Sequence, residues 1–151
     1  MQKLLKAAKD NGLDMASMTV EGVTATVAKN DGRWQVTVSG KGELDDTMFS
    51  KAKDPVYPAY YDDCRQLMSE LLRMTGNDRN MLGAETNDYK AENGNWRMTV
   101  GHEEIFRRVR LQSMGHHAGM VVEFAYDLHR ADGAEIVARA LGYEVEEGRI
   151  K

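Results

Sequence analysis

The amino-acid sequence predicts an α+β fold, with two antiparallel β-hairpins, at about 23–38 and 87–100, packed with three to five helices. Two observations lead to this fold class. The hairpin segments alternate apolar and polar residues around a glycine-containing turn, whereas other segments carry apolar residues at helical spacing. The length of 151 residues suits one domain, so residues 1–151 are expected to share one core that needs neither a disulfide nor a metal to fold.

The first predicted elements are a short helix and a hairpin. Residues 1–10 carry leucine and alanine on one helical face, and Asn11-Gly12 follows as a stop signal. The hairpin at 23–38 turns at Asp31-Gly32, a dipeptide that favours tight hairpin turns.

The register of this hairpin depends on the length of its turn. A two-residue turn sets Val27 opposite Val36 and Ala25 opposite Val38, so the apolar residues of both strands share a face. A three-residue turn would pair Val27 with Gln35, and a slip of one residue moves every side chain to the other face. We therefore expect the two-residue register.

A loop and the longest helix are expected next. Residues 40–58 are rich in Gly, Asp and Lys, and Pro58 suits the first turn of a helix. Residues 59–75 carry a continuous apolar stripe that includes Cys64, and Gly76 follows as a stop. Cys64 is the one cysteine, so an intrachain disulfide and a Cys-based zinc site are excluded, and we expect its thiol to act as a small core group.

The second hairpin, at 87–100, is expected to turn at Asn93-Gly94. That turn sets Tyr89 opposite Met98 and leaves charged residues such as Lys90 on the other side. One apolar and one charged face predict a sheet that is covered on one side and solvated on the other.

The last third of the chain fits two interpretations. Residues 102–112 match either a helix or a strand, and residues 118–130 show both strict alternation and a helical stripe. Segment length and the helical pattern that follows at 131–142 favour a helix over 118–130. A short final strand is expected at 143–147.

Composition and charge limit the classes of partner and location. The formal net charge of −4 argues against a general binder of polyanions, which is usually strongly basic. The sequence contains no apolar run of the length that a transmembrane helix needs, and its N-terminal residues lack the apolar centre of a signal peptide. We therefore expect a cytoplasmic protein that does not bind membranes.

The sequence lacks the common motifs of metal, phosphate and nucleophile sites. No pair of histidines has the HExxH or HxxxH spacing of a helical metal site, and no glycine-rich phosphate loop or nucleophile elbow is present. We therefore assign no catalytic residue, no metal ligand and no cofactor.

A run of basic side chains is the main candidate for binding a partner. Arginine forks suit carboxylate and phosphate groups, so the run fits a protein contact, a nucleic-acid contact, or a solvated face with internal ion pairs. The candidate partner-binding residues, including two adjacent histidines, are Arg97, Arg107, Arg108, Arg110, His116 and His117.

The sequence favours a non-catalytic protein-binding module, such as a small regulator or inhibitor of a bacterial or phage-targeted macromolecular complex. Missing catalytic motifs, ten methionines and segregated local charge support this hypothesis. One alternative is a small enzyme that uses His102, His116 or His117 with Asp127 or His129. Another is a nucleic-acid-binding protein that uses the arginines of 97–110. A homodimer is expected from its general frequency among soluble assemblies.

Overall fold

The alternation of apolar and polar residues determines most of the secondary structure of this chain. The structure, a computed structural model, describes residues 2–44, 58–77, 89–115, 119–130 and 132–151. In chain order the elements are α1 (Gln2–Asp10), β1 (Met15–Val20), β2 (Val23–Asn30), β3 (Arg33–Ser39), α2 (Pro58–Asn77), β4 (Tyr89–Glu92), β5 (Trp96–Glu103), β6 (Phe106–Ser113), β7 (Val121–Asp127), α3 (Gly133–Ala140), β8 (Val145–Glu146) and β9 (Arg149–Ile150).

Strands β1 to β7 form one antiparallel sheet, here called the main sheet. Its strand order is β3-β2-β1-β7-β6-β5-β4, and β8 and β9 form a separate two-stranded sheet. The expected helix-rich α+β packing with three to five helices is wrong. The described residues are mostly β, with seven strands in the main sheet and three helices.

The prediction of a helix over 118–130 is also wrong. This segment contains β7, which lies at the centre of the main sheet and pairs with β1 on one side and β6 on the other. Two neighbouring strands therefore satisfy its backbone groups, and its β-branched and aromatic residues suit a strand. Residues 102–112, for which helix and strand were both possible, are also β, because this segment supplies the end of β5 and most of β6. Strand β1 was not predicted.

The first hairpin has the expected register. Val27 pairs with Val36 and Ala25 with Val38. Asp31 and Gly32 both have positive φ, at 51° and 76°, as a two-residue type I′ turn requires.

The second hairpin forms as expected, but its register differs by two residues. Tyr89 pairs with Val100 instead of Met98. The side-chain oxygen of Asn93 accepts hydrogen bonds from the backbone N–H of Trp96 (2.8 Å) and of Asn95 (3.2 Å). This arrangement moves the centre of the turn one residue along the chain, which changes the pairing register by two residues. Because side chains alternate with a period of two, each one stays on its predicted face.

The helices expected at 1–10, 59–75 and 131–142 are confirmed as α1, α2 and α3. The strand expected at 143–147 is present as β8. Most of the loop expected at 40–58 lies outside the described residues.

The core lies between one face of the main sheet and the helices. We call this side the helix face, because α1 contacts β1 and β2, α2 contacts β5, and α3 contacts β7. Its side chains are mostly buried, and those below 2 % exposure include Met18, Val27, Met98, Val100, Val109, Leu111, Phe124 and Tyr126. The predicted core position of Cys64 is confirmed, at 4 % exposure. Burial raises the pKa of its thiol to about 11.

Candidate functional site

The opposite face of the main sheet, here called the open face, carries polar side chains in rows across the strands. The pairing sets Lys90 beside Thr99, Thr99 beside Arg110, and Arg110 beside Glu123. The row continues into β1 and β2, where hydroxyl residues replace charged ones, from Ser17 onward. The open face therefore has a charged half on β4 to β7 and a hydroxyl-rich half on β1 to β3.

Cross-strand ion pairs occupy two arginines of the charged half. Arg97 Nε lies 2.9 Å from Glu92 Oε2, and this pair lowers the pKa of the Glu92 carboxyl. Arg108 contacts two carboxylates, with Nε 2.9 Å from Glu103 Oε2 and Nη1 3.0 Å from Glu123 Oε1. Solvent-exposed pairs of this kind contribute little stability, because water and salt screen the two charges. Their main effect is to fix the direction of the Arg108 guanidinium.

Two further cations of this half are not ion-paired within the described residues, although Glu123 lies opposite Arg110 and contacts Arg108 instead. In the part of the chain that the structure describes, neither Lys90 nor Arg110 takes part in an ion pair, and both are exposed. They flank Thr99 from the neighbouring strands. Adjacent strands lie about 4.8 Å apart, so the two backbone positions are roughly 10 Å apart across Thr99.

These residues line a shallow groove, here called the basic groove. Its volume is about 340 Å³, and its lining comprises Lys90, Thr99, Val100, Gly101, Arg108, Arg110 and Glu123. Three lining side chains are basic and one is acidic, which gives a local charge of 3 − 1 = +2 on a chain of net charge −4.

The floor of the basic groove is low because its central residues are small. Thr99 and Gly101 alternate on the open face of β5, and Gly101 pairs with Arg108 of β6. A ligand group can therefore approach the sheet between the cations. Guanidinium and ammonium groups around a low floor suit a carboxylate or a phosphate.

The structure divides the candidate partner-binding residues between the two faces. Arg97, Arg108 and Arg110 lie on the open face, whereas Arg107 is fully buried on the helix face between His102 and Tyr126. His116 and His117 lie outside the described residues. Alternation along β6 accounts for this division, because successive side chains of a strand point to opposite faces.

The surroundings of Arg107 include a second buried polar group. Burial raises the pKa of Tyr126 to about 12, although the nearby charge of Arg107 acts in the opposite direction. Within the described residues, the Tyr126 hydroxyl has no hydrogen-bond partner. Helix α3 begins at Gly133, directly above this ring, and a Cβ at that position would clash with the ring of Tyr126.

Sequence reasoning missed five residues of the basic groove: Lys90, Thr99, Val100, Gly101 and Glu123. They belong to three different strands, and only strand pairing brings them together. The alternation around Lys90 indicated its solvated face, but no local pattern showed which strand would be its neighbour.

Two of the four histidines are placed by the structure. His102 is half-buried on the helix face, and His129 is exposed beyond β7, where its backbone N–H donates to Asp127 Oδ1 (2.9 Å). Among the described residues, no group of three or more His, Cys, Asp or Glu side chains is arranged to hold a metal ion. The enzyme alternative can also use His116 or His117, which lie outside the described residues, so it stays a prediction.

Comparisons with known proteins give no family for this chain. No protein-family model matches it, and no curated protein or solved structure matches it either. None of the described helices is long and apolar enough to cross a membrane.

Proposed function

We propose that this chain is a non-catalytic binding protein that holds an acidic segment of a protein partner in its basic groove. The observation that carries the proposal is the position of Lys90 and Arg110 on either side of Thr99, with neither cation in an ion pair within the described residues. Cations that already contact carboxylates are largely neutralised, whereas two cations that form no ion pair among the described residues favour an acidic ligand.

Arg108 adds a preoriented donor to this groove. Its bonds to Glu103 and Glu123 use Nε and Nη1, and no other described residue bonds to Nη2, so the N–H groups of Nη2 can reach a ligand. A guanidinium that is already held loses less side-chain entropy when it binds. We therefore expect Arg108 to set the orientation of the bound carboxylate, and Lys90 and Arg110 to supply the attraction.

The proposed partner is a protein because the open face is poorly suited to nucleic acid. Proteins that bind single strands on a sheet usually stack bases on aromatic side chains. Among the described strands, the one aromatic side chain on the open face is Phe106, which pairs with Glu103 and Asp127 on its two sides. Two carboxylates beside the ring would repel a phosphate backbone.

A regulator or inhibitor of a macromolecular complex fits this proposal, because such a protein needs a binding surface and no catalytic group. A cytoplasmic location also fits, since a single buried thiol, Cys64, is typical of proteins from reducing compartments.

Capture from a nuclease-treated host lysate tests the proposal if three chains are compared. These are the natural chain, the double variant Lys90→Ala/Arg110→Ala, and the control Lys3→Ala/Lys9→Ala. The control removes two exposed lysines from α1, so the net charge changes equally. We expect a protein that the natural chain and the control retain in equal amounts and that the groove variant retains at least about tenfold less.

A direct measurement accompanies the capture. Fluorescence anisotropy compares the affinities of the three chains for a glutamate-rich peptide and for a single-stranded oligonucleotide of matched charge. Weaker peptide binding by the groove variant alone supports the proposal. Equal binding by all three chains contradicts it. Tighter, steeply salt-dependent oligonucleotide binding that needs Lys90 and Arg110 would favour the nucleic-acid alternative instead.

A further inference from the structure

Strand β3, at the edge of the main sheet, exposes apolar side chains on the helix face, where the neighbouring strands are buried. Val36 and Val38 belong to the helix face by register, yet they are 50 % and 53 % exposed. Their partners on β2, Val27 and Ala25, are fully buried. Helix α1 contacts β1 and β2, so burial on this half decreases sharply at the last strand.

One hydrogen bond shows which backbone groups of β3 point away from the sheet. The N–H of Lys29 donates to the carbonyl of Asp14 (2.8 Å), on the β1 side of β2. Lys29 pairs with Trp34, so this pair makes no hydrogen bonds between β2 and β3. Hydrogen-bonded and non-hydrogen-bonded pairs alternate along an antiparallel ladder. The N–H and C=O groups of Trp34, Val36 and Val38 therefore point to the free edge.

We propose that β3 pairs with β3 of a second copy of this chain, antiparallel and centred on Val36. A twofold axis perpendicular to the sheet at Val36 sets this residue opposite Val36 of the partner subunit. The same axis sets Trp34 opposite Val38 of the partner subunit. These are the residues whose backbone groups point outward, so each pair exchanges two hydrogen bonds across the new edge.

The side chains of β3 are self-complementary in this register. On the helix face, two valines meet at the axis and Trp34 covers Val38 of the partner subunit on each side, which removes the exposed apolar surface from water. On the open face, Gln35 lies opposite Thr37 of the partner subunit. The strand has one charged residue, Arg33, which lies opposite Ser39 of the partner subunit, so no like charges meet.

The strand also lacks the features that keep edge strands apart. It spans seven residues, and positions 34–38 contain no Pro, Lys or other charged residue. The other edge strand, β4, has four residues and carries Lys90 and Glu92. A single strand pair lies at the small end of the range for stable interfaces, so we expect a dimer whose population depends on concentration.

Dimerisation of this kind has a consequence for binding. An axis perpendicular to the sheet keeps both open faces on the same side, so the two basic grooves would face one extended partner. Two linked sites bind such a partner more tightly than one site does. The dimer itself rests on β3 alone and does not depend on the proposed function of the groove.

Sedimentation equilibrium over a wide concentration range tests the proposal with variants at the axis. Val36→Lys sets two ammonium groups directly opposite each other, and Val36→Glu does the same with two carboxylates. We expect each variant to raise the dimer dissociation constant at least about tenfold, and an equimolar mixture of the two to form a heterodimer. The control is Thr37→Lys, which adds the same charge to the open face of the same strand and should leave the dimer in place.

A backbone variant tests the edge itself. Val36→Pro removes an N–H that points outward and leaves the β2–β3 hydrogen bonds intact, so it should abolish the dimer while circular dichroism shows a folded chain. A monomer at every concentration of the natural chain would overturn the proposal. So would a dimer that persists in both Val36→Lys and Val36→Pro, or a mixture of the Lys and Glu variants that stays monomeric. Peptide binding per chain should be unchanged in Val36→Lys, which separates this test from that of the groove.

Discussion

The two halves of the main sheet show the same alternation of residues but different burial. In β4 to β7, under α2 and α3, the helix-face residues Met98, Val109 and Leu111 are fully buried. In β1 to β3, under α1, Met18 on β1 and Val27 on β2 are fully buried, but Val36 and Val38 on β3 are half-exposed. Alternation therefore decides which residues share a face, and the extent of the helices decides which part of that face becomes core.

The hairpin turns of the two halves also differ, in whether a helix holds them in place. The β4–β5 turn is tied to α2, because Asn93 Nδ2 donates to the backbone carbonyl of Asp63 (2.8 Å). The β2–β3 turn at Asp31 and Gly32 is exposed and relies on its own backbone geometry. One hairpin is thus positioned by tertiary contacts and the other by its local sequence.

The largest expected difference between the halves concerns aromatic side chains. Phe124→Ala on β7 empties a fully buried site and should cost about 3–5 kcal/mol of unfolding free energy. Trp34→Ala on β3 removes a larger but only half-buried side chain and should cost less than about 2 kcal/mol. Urea denaturation at low protein concentration, where self-association contributes little, measures both. An equal cost would mean that β3 belongs to the core as fully as β7.

A matched pair of valines compares the halves with one substitution. Val109→Ala on β6 should cost about 2 kcal/mol, because it removes buried carbon atoms and leaves a cavity. Val38→Ala on β3 should change the free energy of unfolding by less than about 0.5 kcal/mol. Both are measured by urea denaturation of dilute protein. A large cost at Val38 would show that this residue is covered in the monomer.

The two turns provide a smaller contrast. Asn93→Ala removes the side-chain bonds to Asn95, Trp96 and Asp63 and should cost about 1–2 kcal/mol. Asn30→Ala, beside the exposed β2–β3 turn, should change stability by less than about 0.5 kcal/mol. Thermal unfolding followed by circular dichroism distinguishes the two. Similar losses would contradict the view that only the second turn is anchored.

The smallest effect concerns pH and the buried hydroxyl of Tyr126. Burial holds the pKa of this phenol at about 12 in the folded chain, against 10.0 for an ordinary tyrosine. As the pH rises, the unfolded chain therefore loses this proton before the folded chain does. The contribution of the Tyr126 hydroxyl to the free energy of unfolding is full below pH 10 and decreases as the pH rises towards 12. Tyr126→Phe should reduce this pH dependence. At pH 7 it should be neutral or slightly stabilising, because the hydroxyl has no hydrogen-bond partner within the described residues. An unchanged pH slope in the variant would contradict this assignment.

Local sequence was sufficient where a turn or a stripe controls its own segment. Asp31-Gly32 specified the register of the first hairpin, and apolar stripes located the three helices. It was insufficient at 118–130, where strand and helix periodicities coincide. There the decision came from β1 and β6, which pair with the two sides of β7 and are distant in sequence from each other.

The candidate site shows the same limit. Arg97, Arg108 and Arg110 were found as a basic run, because charge density is visible in a linear sequence. The sequence did not show that Arg107 is buried, apart from these three. That conclusion requires knowing that β6 is a strand and which of its faces points inward. Lys90 reaches the same groove only through the pairing of β4 with β5.

By itself, the sequence determined the periodicities, the first turn and the charge of the second half, because these depend on residues close together in the chain. The tertiary structure alone decided that β7 is a central strand and that the second turn closes at Asn93 through α2. It also decided that four strands, β4 to β7, build the basic groove, and that two valines of β3 stay exposed. Each of these outcomes depends on which surfaces meet, and burial and strand pairing are properties of contacts between segments that are far apart in the chain.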